Sequence, residues 1–155
     1  MLQVITDKTI FEVPVQTIVN PVNCDGFMGK GLALEVKKRF PKVFTKYEKR
    51  CKQGRMKVGK LQLVKGHPQW VLNFPTKDHW RGKSRIEFVE AGLKTFKATY
   101  KKNQITAIAF PPLGCGSGGL LWNDVEPLMR RYLEMLDNLQ VFICLGAPQK
   151  AKTDN

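Results

Sequence analysis

Long apolar runs are missing from this 155-residue chain. None approaches the ~20 residues that a bilayer-spanning helix needs, and residues 1–7 lack the basic-then-apolar plan of a secretory signal. A cytoplasmic protein with no membrane partner is expected. Histidine is scarce as well, with only His67 and His79 present. The four cysteines, at positions 24, 51, 115 and 144, form no C-x-x-C pair and have no histidine in zinc spacing. Neither a zinc site nor a disulfide framework is expected, and no other cofactor is called for. No loop carries the Gly-Lys-Ser/Thr ending of a P-loop. Gly114, Gly116 and Gly119 formally satisfy G-x-G-x-x-G, but the match sits late in the chain and no helix opens at once behind them. Neither nucleotide hydrolysis by a P-loop nor a dinucleotide site is expected.

Acid is the remaining scarcity. Lys and Arg total 26 against 13 Asp and Glu, a net charge of +13. The excess is concentrated: residues 30–60 hold twelve basic and two acidic side chains, and residues 77–102 hold eight and three. A basic face of this kind fits a polyanionic partner, nucleic acid above all, or else a solvated face that keeps the protein soluble.

What is present reads as one domain of alternating strands and helices. Strands are expected over residues 2–5, 15–19, 61–64, 70–74, 105–110 and 141–145. Leu32, Val36 and Phe40 recur every fourth residue and predict a helix after Gly31, and Pro41 opens a second that turns Phe44, Tyr47 and Cys51 inward. Ser84 and Glu87 have capping-box spacing, ahead of Ile86, Val89, Leu93, Phe96 and Tyr100 on one helical face. A further capped helix is expected over residues 123–137, and residues 147–155 read as a flexible tail. Such alternation predicts an α/β sandwich around a mostly parallel sheet.

Two glycine-rich loops each follow a core strand: Asn20-Pro-Val-Asn-Cys-Asp-Gly-Phe-Met-Gly-Lys-Gly31 and Pro111-Pro-Leu-Gly-Cys-Gly-Ser-Gly-Gly-Leu120. Loops at the carboxyl edge of such a sheet bind ligands, and glycines there let backbone N–H groups approach a phosphate. A third segment, Asn73-Phe-Pro-Thr-Lys77-Asp-His79-Trp-Arg81, leaves a core strand with a lysine and a histidine two residues apart. A lysine desolvated beside other cations loses basicity and can act as nucleophile or base, whereas an ordinary surface lysine does neither.

Val19-Asn-Pro-Val-Asn23, Met28-Gly-Lys-Gly31, Asn73-Phe-Pro-Thr-Lys77 and Pro112-Leu-Gly-Cys-Gly116 together resemble a macrodomain over about residues 2–146. The subclass is the one named for the terminal ADP-ribose protein glycohydrolase and the DarG antitoxin. The resemblance implies a single domain, residues 1–146, folded as a three-layer α/β/α sandwich on a mixed, mostly parallel sheet. It also implies an ADP-ribose site. The first loop would hold the distal ribose, with Asn23 near its hydroxyls, and Asn20, Met28, Gly29, Gly31, Leu32 and Thr76 are further ADP-ribose-binding candidates. The second would wrap the diphosphate through Gly114, Cys115, Gly116, Ser117, Gly118 and Gly119.

By the same resemblance Lys77 is the catalytic residue. His79 is an auxiliary candidate that would relay protons, pack, or contact a phosphate. Lys37, Lys38, Lys42 and Lys46 become candidate DNA contacts. The implied reaction removes ADP-ribose from thymidine in single-stranded DNA, reversing the work of a cognate DNA ADP-ribosyltransferase toxin. Lys77 would attack the anomeric carbon or form a Schiff base with the opened ribose. A monomer is expected. A non-catalytic reader of ADP-ribose and a phosphatase acting on ADP-ribose-1″-phosphate are the alternatives. Two positions depart from the pattern. Lys8 and Thr9 stand where many macrodomains carry a Gly-Asp pair that reads adenine, which moves that role to backbone groups near Thr9 and Ile10. Gly118 stands where the terminal ADP-ribose hydrolase pairs an aspartate with its lysine.

Overall fold

The strand Thr17–Val22 (β2) decides the middle of the fold. Thr17, Ile18, Val19 and Asn20 are all fully buried, with Ile18 and Val19 packed into different hydrophobic clusters. A strand buried on both faces requires a layer of structure on each side. The structure, a computed structural model, describes residues 1–146, and the tail expected over residues 147–155 lies outside them.

The remaining elements are β1 (Leu2–Ile5), a 3₁₀ turn (Ile10–Glu12), α1 (Gly31–Arg39), α2 (Pro41–Lys52), β3 (Gln62–Val64), β4 (Trp70–Pro75), α3 (Ile86–Thr99), β5 (Ala107–Phe110), α4 (Trp122–Leu133) and β6 (Gln140–Cys144). Six strands form one sheet in the order β1-β6-β5-β2-β4-β3. Every pairing is parallel except β3 with β4. The α1–α2 pair and the 3₁₀ turn cover one face, around Val36, Val43 and Tyr47. The α3–α4 pair covers the other, around Val89, Leu93, Val125 and Met129. The expected three-layer sandwich on a mixed, mostly parallel sheet is present.

Two local expectations are corrected. Val15 is not yet strand, because its N–H turns back to the Val13 carbonyl, and β2 instead runs on through Pro21 to Val22. Proline is tolerated there because β2 pairs with β5 only at Thr17 and Ile18, while pairing with β4 continues to Val22. The capping box at Ser84 does not form. Arg85 is the cap residue and makes no side-chain cap bond, while the Ser84 N–H donates to the Gly118 carbonyl at 3.0 Å. A long-range contact has taken the residue that the local pattern assigned to the helix. The helix expected from residue 123 likewise starts behind Leu121 without a side-chain cap. In α2, Tyr47 is buried as expected, with Val43 as its fully inward partner, and Phe44 and Cys51 only half-buried.

Among the described residues, no helix is long and apolar enough to cross a membrane.

Candidate functional site

Because β2 and β5 part beyond Ile18, the sheet opens at their carboxyl ends, and connections leave that gap in opposite directions toward β4 and β6. This is the crevice in which parallel α/β sheets bind ligands. A cavity of about 510 Å³ occupies it. Its walls come from the ends of β2 (Pro21, Val22), β4 (Thr76, Lys77), β5 (Pro111, Pro112) and β6 (Cys144, Leu145).

The first glycine loop is held from within by Asn23. Its Nδ2 donates to the Phe27 carbonyl at 2.8 Å, and its Oδ1 accepts from the N–H groups of Asp25 and Phe27 and from the Tyr47 hydroxyl at 2.6 Å. Asn23 lies on the cavity wall, with its Oδ1 and one of its two Nδ2 hydrogens engaged within the loop. The loop is also tied to the segment after β4. Thr76 N–H donates to the Val22 carbonyl at 2.9 Å, the Cys24 thiol to the Lys77 carbonyl at 3.4 Å, and Trp80 N–H to Asp25 Oδ2 at 3.3 Å.

The second loop is shaped by two glycines. Gly114 sits at φ +75°, the left-handed region that glycine enters without strain. Gly118 is enclosed: a Cβ there would collide with Ser84 Oγ and stand 2.5 Å from the Gly114 carbonyl oxygen. Any side chain at this position would force the loop or Ser84 to shift. Among the described residues, the N–H groups of Gly116, Ser117 and Gly118 donate to no protein acceptor, and all three residues line the cavity. Ser84 Oγ, buried at the same wall, also lacks a partner. These are donors suited to an anionic ligand such as a diphosphate.

Lys77 faces the same space, half-buried. Burial, with Lys30 as a smaller cause, holds its amine below the ordinary lysine pKa. Each effect disfavours the charged form, which enlarges the neutral, nucleophilic fraction. Cys115 offers no competing nucleophile, since burial pushes its thiol up to about 11. No group of three or more His, Cys, Asp and Glu side chains that could hold a metal ion occurs among the described residues.

The cavity wall thus gathers Thr9, Ile10, Asn23, Gly29, Leu32, Thr76, Lys77, Gly114, Cys115, Gly116, Ser117 and Gly118 from the sequence-derived set. Asn20 and Met28 are corrected. Both are buried beneath the loop, where Asn20 Nδ2 donates to Asn73 Oδ1 at 2.9 Å and approaches Met28 Sδ at 3.8 Å. They support the site without bordering it. Gly31 and Gly119 are likewise outside the lining. His79 turns away to the exposed surface, its Nδ1 3.4 Å from Asp25 Oδ2. The N–H of Thr9, named for adenine, already donates to Glu12 Oε1 at 2.9 Å, which leaves Ile10 and the Phe11 ring at that end of the cavity. Lys37, Lys38, Lys42 and Lys46 are exposed on α1 and α2, outside the cavity, with Lys37 Nζ 4.2 Å above the Phe44 ring.

The sequence reading missed Phe11, Phe27, Lys30, Trp80 and Ser84 as wall residues. For Phe27, Lys30 and Trp80 the signal was available, since each lies inside a segment already singled out. For Ser84 it was not, because its place depends on Gly118.

A family model for the macro domain matches residues 19–129. A DNA ADP-ribosyl glycohydrolase of Thermus aquaticus is 40% identical over 138 residues, covering 86% of this chain and 38% of the relative. The chain therefore spans about two-fifths of the length of such curated relatives. Among solved structures, the macrodomain of Mycobacterium tuberculosis DarG superposes with a TM-score of 0.88 at 37% identity, covering 94% of this chain and 99% of that one. Thermosipho africanus DarTG in complex with ADP-ribose gives 0.83 at 40% identity, covering 90% of this chain and 40% of that one. With the split sheet, its two glycine loops and these matches in agreement, the chain belongs to the macro domain family.

Proposed function

We propose that this domain is a DNA ADP-ribosyl glycohydrolase that removes ADP-ribose from thymidine in single-stranded DNA, and that its natural counterpart is a DNA-modifying ADP-ribosyltransferase. The observation that carries the reading is a lysine of lowered basicity in the same cavity as a row of unpartnered backbone donors. Those donors suit the diphosphate. Holding it fixes the distal ribose near Lys77, so that positioning supplies part of the rate acceleration. The names of the Thermus aquaticus and Mycobacterium tuberculosis relatives support the reaction type, and the structure of the DarTG protein bound to ADP-ribose supports the ligand.

In the proposed reaction the neutral Lys77 amine attacks the anomeric carbon. A C–N bond to the lysine forms, the bond to the thymine nitrogen breaks, and the base leaves with that electron pair and takes up a proton. Water then adds to the same carbon, the lysine–carbon bond breaks, and the amine is restored. Net, one water is consumed, and ADP-ribose and unmodified DNA are released. In this scheme Lys77 acts without an acid partner at position 118, which is an enclosed glycine in this chain.

The reading is tested by incubating the protein with a single-stranded oligonucleotide carrying ADP-ribosyl-thymidine. Free ADP-ribose and the intact oligonucleotide are the expected products by mass spectrometry. Tight binding without turnover would instead identify a reader, and release of inorganic phosphate from ADP-ribose-1″-phosphate a phosphatase.

DNA capture should depend on the α1–α2 face. Each phosphate contact on a single strand contributes a slope of roughly −0.7 in log K against log salt, so three or four contacts weaken capture about tenfold for a threefold rise in salt. Free ADP-ribose, held by backbone donors, should respond much less. Apparent KM for the modified oligonucleotide and Kd for ADP-ribose, measured across one salt series, check this. The double substitution Lys38→Glu/Lys42→Glu should flatten the DNA slope alone. Parallel slopes, unchanged in the double variant, would reduce that face to a solvated surface.

A further inference from the structure

Phe27 and Trp80 have no role in the reading above, yet they stand out on this surface. Few large apolar side chains are strongly exposed among the described residues, and these two are 55% and 42% exposed. Isolated exposed apolar residues are ordinary. These two are not isolated: their ring centroids lie 5.7 Å apart at 60°, and both border the cavity that holds Lys77. They come from different loops, so their meeting is a product of the fold. Asp25 ties the two segments together by accepting the Trp80 backbone N–H at 3.3 Å. The Arg81 guanidinium sits 4.8 Å from the centre of the Trp80 ring, and Lys30 borders the same cavity. An exposed aromatic pair set among cations matches the chemistry of an unstacked nucleobase with its phosphates, since every base offers a π-face and carries an anionic backbone.

The position specifies which base. If Lys77 works at the anomeric carbon, the group leaving that carbon must lie beside Lys77 and outside the ribose. Trp80 is three residues along the same segment and shares the cavity edge. We propose that Phe27 and Trp80 form a stacking platform for the pyrimidine ring to which ADP-ribose is attached. This rests on the glycohydrolase reading and adds a base-binding subsite to it. A stacked base in a single strand, already free of a partner strand, needs no duplex opening to reach the platform.

The test uses Trp80→Ala, Trp80→Phe and Phe27→Ala with three ligands: an ADP-ribosylated oligonucleotide, ADP-ribosylated thymidine nucleoside, and free ADP-ribose. Base–aromatic stacking contributes enough that each alanine variant should raise KM about tenfold for both modified substrates, with kcat changed less. The loss should exceed any change in Kd for ADP-ribose by a similar factor, and phenylalanine at position 80 should restore most of it. Equal losses for free ADP-ribose would mean that the rings pack against the sugar and would overturn the platform. So would a loss confined to the oligonucleotide, which would assign the rings to flanking nucleotides, or a Trp80→Phe variant no better than the alanine one. If the wild-type protein binds ADP-ribose but cleaves neither modified substrate, the glycohydrolase reading itself fails and the platform with it. Wild-type cleavage left intact by all three substitutions overturns the platform alone.

Discussion

Replacing Lys77 by alanine should lower turnover of ADP-ribosylated single-stranded DNA by a hundredfold or more, a barrier increase of about 2.7 kcal/mol, while ADP-ribose still binds. The amine borders the cavity just past the end of β4, in the same space as the unpartnered N–H groups of the second glycine loop that suit the diphosphate. Affinity and turnover therefore separate. Lys77→Arg should fail as well, since a guanidinium stays protonated and cannot serve as nucleophile. Restored turnover with arginine would assign Lys77 a purely electrostatic part. The sign of the pH dependence follows from the same group. Burial and Lys30 lower its pKa, and in the proposed reaction the neutral amine is the attacking form. The single-turnover rate should thus rise with pH and level off below the range of an ordinary lysine. Single-turnover kinetics across pH, with calorimetry on the alanine variant, measure both halves of this expectation.

The second large effect is expected at Gly118. Wild-type protein should bind free ADP-ribose in the presence of EDTA, since the donors offered are backbone groups. Gly118→Ala should weaken that binding by about tenfold or more, or ~1.4 kcal/mol at least. The added methyl meets Ser84 Oγ and the Gly114 carbonyl oxygen at 2.5 Å. The clash is with backbone and a short side chain, neither of which yields cheaply. The loop must move, and its donors move with it. Gly118→Glu should lose more, because it adds negative charge beside the expected diphosphate. Calorimetry in EDTA, with a thermal melt to show that the domain remains folded, checks the pair. Unchanged affinity in Gly118→Ala would mean that the second loop does not hold the ligand.

The helices were legible in the sequence wherever local periodicity and burial coincide. Leu32, Val36 and Phe40 placed α1, and Pro41 correctly opened α2, because a proline at the first helical position gives up no hydrogen bond. The failures have one physical source. Ser84 looked like a cap because serine at that spacing caps isolated helices, but Gly118, thirty-four positions on, binds its N–H. Asn20 was named as a ligand contact by the family resemblance alone. Its strand position places it on the same face as Ile18 and Val22, inside the layer against α1 and α2. The glycines of the second loop were legible by composition. That one of them is enclosed was not, since it depends on two segments meeting.

Asn20 has a larger part than the ligand contact first expected of it. It donates to Asn73, and Asn73 Nδ2 donates to Gln62 Oε1 at 3.1 Å, so three buried amides run in sequence across β2, β4 and β3 at directly paired positions. Slipping β4 by one residue against β2 would reverse its faces and shift it by about 3.3 Å. Asn73 would then lie on the wrong side of the sheet, and Asn20 Nδ2 and Gln62 Oε1 would lose their partners inside the core, at a cost of about 1–3 kcal/mol for each group. β2 ends at the first glycine loop, and β4 ends at Pro75, just ahead of Lys77. The amide row is therefore a gauge, set a short way down both strands from the cavity that Lys77 borders. It fixes the height of the lysine against the loop facing it to within a single residue step.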